Sequence, residues 1–106
     1  MTTLEKVQRL EQYVSADNAA TDPVIDMVMN KLLTREKERM IELQSRLAND
    51  LGSFEKKYAM TSDVFCQRYE RGEMDDAMDF VEWSATWEML RNTKKRLTLL
   101  ETDPIL

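Results

Sequence analysis

Apolar side chains along this chain recur at helical spacing, not at the alternating spacing of a strand. If each residue is advanced by about 100°, Ile25, Met29, Leu32, Leu33, Met40, Leu43, Leu47, Leu51, Phe54 and Tyr58 all fall within an arc of about 100°. The stripe predicts one helix over residues 23–58, about 54 Å long at 1.5 Å per residue. Asp22 is placed to cap it. Pro23 suits the first helical position, where an N–H would be unpaired in any case. Gly52 has two readings: a residue inside a continuous helix, or a C-cap after which Ser53 opens a new one. Leu51, Phe54 and Tyr58 keep one phase across it, which favours the continuous helix.

Three shorter segments complete the pattern. Leu4, Val7, Leu10, Tyr13 and Val14 share a broad face and predict a first helix over 4–15, followed by a polar connection over 16–22. Thr61, Ser62 and Asp63 offer capping oxygens for a short helix over 62–71, with Gly72 as its left-handed stop. Asp75 and Asp76 start a last helix over 77–101, which Thr102-Asp103-Pro104 ends. The first and last helices together match the length of the long one. The expected fold is therefore all-α, a single domain over 1–106. It is a long antiparallel, coiled-coil-like helical hairpin, with the first helix folded back on residues 24–35 and the short helix in the hairpin connection.

The last helix carries two apolar arcs. Phe80, Trp83, Trp87, Leu90 and Leu97 form one, which is expected to lie on residues 36–58. Met78, Val81, Ala85, Met89 and Leu100 form another on roughly the opposite side. Either the short helix covers this second arc, through Val64, Phe65 and Tyr69, or it is an interface for another protein or a second copy. Met27, Met74, Met78 and Met89 fall off the best core faces, and unbranched thioethers suit adaptable contacts as well as filling gaps. Glu36 interrupts the long stripe. It is read as a solvated partner of Arg91, Lys94 or Lys95, or as a polar group that fixes register or contacts a partner.

Composition narrows the chemistry. The 106 residues are 42% apolar and 33% charged, with two glycines, two prolines and no histidine. A turn-rich β fold is excluded, as are a Gly-rich phosphate loop and any histidine-dependent triad or zinc site. No cofactor or metal is expected, and no enzymatic activity. Cys66 has no second cysteine to pair with and reads as a half-buried structural thiol. No apolar run approaches a membrane span and the N-terminus does not read as a signal peptide, so the expected location is cytoplasmic. The net charge is −5. Residues 59–85 hold seven acidic side chains against two basic ones, whereas residues 23–58 are nearly balanced. The acidic excess is thus concentrated in the short helix and the elbow after it. That placement suits solubility and capping, or an epitope that steers a basic partner. Direct nucleic-acid binding is disfavoured, since Lys94-Lys95-Arg96 is the one basic cluster.

About half of the chain carries a family resemblance. The segments Phe54-Glu55-Lys56-Lys57-Tyr58-Ala59-Met60-Thr61-Ser62-Asp63-Val64-Phe65, Arg71-Gly72-Glu73-Met74-Asp75-Asp76, Asp79-Phe80-Val81-Glu82-Trp83 and Trp87-Glu88-Met89-Leu90 resemble a group of small helical bacterial and archaeal proteins associated, as antitoxin-like partners, with small toxins. The resemblance implies neutralisation of a partner protein. It brings no catalytic or ligand motif, and no DNA-binding domain of the kind common in antitoxins is apparent. The expected function is a non-enzymatic module that occludes a basic partner through Glu70, Glu73, Asp75, Asp76, Met78, Asp79, Val81 and Met89. The alternatives are a homodimeric structural coiled coil, or an acidic phage-type inhibitor of a nucleic-acid-binding protein.

Overall fold

A computed structural model describes residues 1–16 and 22–101; most of the 16–22 connection and the stop at 102–104 lie outside them. Four helices follow in order: α1 (Thr3–Ser15), α2 (Pro23–Tyr58), α3 (Ser62–Glu70) and α4 (Met78–Glu101), with no strand among the described residues. The chain is all-α, and α2 and α4 pack together as the long hairpin. Contacts gather into two units, Met1–Lys31 and Leu32–Leu106, with α2 running through both.

Each helix end is set by local chemistry. Thr2 and Glu5 form a capping box: the Thr2 hydroxyl accepts from the Glu5 N–H at 3.1 Å, and the Glu5 carboxylate accepts from the Thr2 N–H at 3.3 Å. This starts α1 one residue earlier than its apolar pattern does. The Asp22 carboxylate accepts from the N–H groups of Val24 (2.9 Å) and Ile25 (3.4 Å), so α2 opens at Pro23 as expected. α2 continues through Gly52, where an added Cβ would meet open space.

The two ends facing the elbow share one device. After α3, Gly72 (φ +74°) lets its own N–H donate to the Tyr69 carbonyl at 3.1 Å and the Glu73 N–H to the Arg68 carbonyl at 2.9 Å, a Schellman closure. After α2, Ala59 takes the same left-handed region (φ 51°), and the Met60 N–H reaches the Glu55 carbonyl at 3.2 Å. Here an L-residue sits where glycine is preferred.

The core belongs to Leu32–Leu106 and joins α2, α3 and α4. Leu47, Leu51, Phe65, Phe80, Trp83 and Leu90 are buried together, with Phe54, Tyr58, Tyr69 and Trp87 packed at the margin. Trp83 and Phe65 are both 0% exposed, and their rings stack at 3.9 Å with 2° between planes. Phe54 and Tyr58 stack on Trp83 at 5.6 and 5.7 Å. The indole N–H donates to the buried Ser62 hydroxyl at 2.8 Å, and the Ser62 N–H donates to the Glu55 carboxylate at 2.8 Å. The face of α4 predicted to lie on α2 does so.

Several expectations change. Glu36 pairs with Arg39 of its own helix at 2.7 Å, not with Arg91, Lys94 or Lys95, because an i,i+3 neighbour is already within reach. Met74, assigned away from the core, packs against it, and Leu100, assigned to the outer arc of α4, is half-buried. None of the side chains of α1 is buried.

Two tests follow. Trp83→Phe leaves the buried Ser62 hydroxyl without its donor and is expected to cost about 2 kcal/mol in urea unfolding. Ala59→Gly relieves the left-handed strain and Gly52→Ala adds a side chain into open space; each is expected to stabilise by about 1 kcal/mol, with additive effects on the urea midpoint.

Candidate functional site

The acidic elbow is built by the α3 stop. Gly72 turns the chain out of α3 into the connection to α4; there Met74 packs against the core, whereas Glu70, Glu73, Asp75 and Asp76 are all exposed. The Asp75 carboxylate accepts from the Ala77 N–H at 2.9 Å and so shapes the entry to α4. Among the described residues none of these four carboxylates forms an ion pair. The expected cluster of free charge is therefore present at the elbow, with one exception.

That exception is Asp79. Its carboxylate accepts from the Lys57 ammonium at 2.7 Å and from the Tyr58 hydroxyl at 2.6 Å, tying the first turn of α4 to the last turn of α2. The Lys57 ammonium also lies 5.5 Å from the centre of the Tyr58 ring. The hydrogen bonds from Lys57 and then Tyr58 hold the Asp79 carboxyl below its ordinary 3.8. The bond to Asp79 in turn raises Lys57 above 10.5, and with burial it raises Tyr58 above 10.0. Asp79 thus has its charge offset within the chain by Lys57, unlike the four carboxylates of the elbow. Its spacing from Lys57 and Tyr58, more than 20 residues along the chain, left nothing in the sequence to signal this.

The outer arc of α4 is open. Met78, Val81 and Met89 are 70%, 45% and 51% exposed, and Ala85 is exposed with them. α3 does not cover this arc, because its Phe65 is spent on Trp83, on the core side of α4, while Val64 remains exposed. The reading in which the short helix covers this arc is therefore not met, and Met78, Val81 and Met89 stay uncovered within the chain. Met27 is exposed as well, on α2.

Sequence reasoning missed a groove beside this arc. It measures about 430 Å³ and lies between α2 and α4, lined by Asp50, Ser53 and Phe54 from one helix and Glu82, Ala85 and Thr86 from the other. Small side chains at the facing positions Ser53, Ala85 and Thr86 leave the space. Neither the Asp50 nor the Glu82 carboxylate has a hydrogen bond or ion pair among the described residues. Small residues at Ser53, Ala85 and Thr86 were the available signal; it becomes meaningful only once the register of the two helices is known.

Little else offers chemistry. Cys66 is half-buried, and burial, followed by the charge of Glu70, pushes its thiol up, away from the reactive thiolate. Among the described residues no group of His, Cys, Asp and Glu side chains is arranged to hold a metal ion, and no helix is long and apolar enough to cross a membrane. No family model, curated protein or solved structure matches the chain.

The Asp79 contact makes a pH prediction. A carboxyl depressed on folding stabilises above its unfolded value and loses that contribution as pH falls through the lower, folded value. Lys57 and Tyr58, both raised, contribute below their ordinary values and lose it as pH rises through their folded ones. Stability is therefore expected to fall below about pH 4 and above about pH 10. Asp79→Asn should flatten both flanks relative to the native chain, measured as urea midpoints across pH.

Proposed function

We propose that this chain is a non-enzymatic binding module that captures a basic protein, in the manner of an antitoxin-like inhibitor. The observation that carries the reading is the run of exposed carboxylates at Glu70, Glu73, Asp75 and Asp76, none in an ion pair among the described residues, leading directly into the exposed Met78, Val81 and Met89 of α4. Carboxylates whose charge no internal cation offsets attract a basic surface over distance. Adjoining thioether and Val surface then gives the apolar area that holds it. The groove supports the same partner chemistry. A lysine or arginine laid into it would place its aliphatic stem on Phe54 and its charged end between Asp50 and Glu82.

The mechanism is occlusion: the bound partner loses the basic surface with which it acts. Placement of the module in the cytoplasm and neutralisation of a toxin in particular are the narrower parts of the proposal, and the family resemblance of residues 54–90 supports the second.

The experiment uses the full chain immobilised to capture proteins from its source cells. Asp75→Lys with Asp76→Lys avoids the engaged Asp79. A basic protein retained by the native chain is expected to bind this double variant at least tenfold more weakly at low salt, with a shallower salt dependence. Met89→Glu should weaken binding with little change in that salt dependence. Retention unchanged in both variants rejects the reading. A captured protein that arrests growth when expressed alone, and not when co-expressed with this chain, establishes the inhibitor role.

A further inference from the structure

The smaller unit, Met1–Lys31, has no buried side chain among its described residues. Its α1 is 13 residues long, and a helix of that length is marginal in water on its own propensity. A capping box adds only about 1 kcal/mol to it. Leu4, Val7, Tyr13 and Val14 on α1 remain 49–67% exposed, and Val24, Met27 and Val28 on the first turns of α2 remain 48–63% exposed. Val24, Met27 and Val28 stand at i, i+3 and i+4, the spacing of a helix face that is normally covered.

Together these seven side chains offer on the order of 700 Å² of free surface per chain, close to the roughly 800 Å² that each partner contributes to a stable interface. Charge selects the occupant. On α1, Glu5 and Glu11 balance Lys6 and Arg9, and on the first turns of α2 Asp26 balances Lys31. A neutral apolar surface carries no sign with which to choose a charged foreign partner, and nothing in it repels its own copy. The elbow, by contrast, is self-repelling.

We infer that α1 and the first turns of α2 are a homodimer interface, occupied by the same surfaces of a second copy. Burial in the dimer is what holds α1 in helical form. This surface shares no residue with the elbow or with the outer arc of α4, so substitutions in one leave the residues of the other unchanged and the dimer and the captured partner are tested independently.

The test is sedimentation equilibrium of the full chain over a dilution series. The native chain is expected at twice the single-chain mass, and Val7→Glu with Val28→Glu at half that value, with the near-UV circular dichroism of the Trp83 cluster unchanged. Hydrogen exchange on the native chain, which needs no variant, should show α1 amides becoming more protected as concentration rises. A native chain of single-chain mass throughout overturns the inference. So does a dimer that survives the double substitution, one lost on Met89→Glu, or concentration-dependent protection confined to α4.

Discussion

The stack on Trp83 is the constraint on which the larger unit depends. Its indole meets Phe65 of α3 and Phe54 and Tyr58 of α2, and its N–H finds the Ser62 hydroxyl in a place with no water to replace it. Ser62 is itself held by the Glu55 carboxylate, so one polar chain runs from α2 through α3 to α4 beneath the aromatic cluster. A flat ring with a single polar handle sets both the distance between helices and their rotation. Aliphatic packing alone would leave the rotation loosely specified.

That arrangement governs what the surface presents. Once α3 is drawn onto the core by Phe65, it is unavailable to cover the far side of α4, and Met78, Val81 and Met89 stay outside. The left-handed stop at Gly72 then turns the chain so that Met74 packs against the core while the carboxylates of Glu73, Asp75 and Asp76 reach solvent. An acidic, apolar-edged surface is thus a consequence of how the interior is satisfied.

The acidic side chains divide by partner. Glu55 and Asp79 are committed to the hinge between helices, Glu36 to its own helix, and the elbow carboxylates with Asp50 and Glu82 to no ion pair among the described residues. Their chemistry is identical in the sequence. Only proximity to a donor separates a carboxylate that stabilises the fold from one free to meet another molecule.

Helix limits were legible from the chain alone because they rest on local rules: apolar phase at 3.6 residues per turn, the Asp22 and Thr61 caps, and the Gly72 stop. The buried face of α4 was legible for the same reason. Four results were not. The Ala59 turn has no glycine to announce it, Asp79 meets Lys57 and Tyr58 across more than 20 residues, Met74 turns inward, and the groove exists only between two helices in register. Periodicity reports which side of a helix is apolar; the helix that lies against it, and the side chains left uncovered, are decided by contacts between residues far apart in the chain.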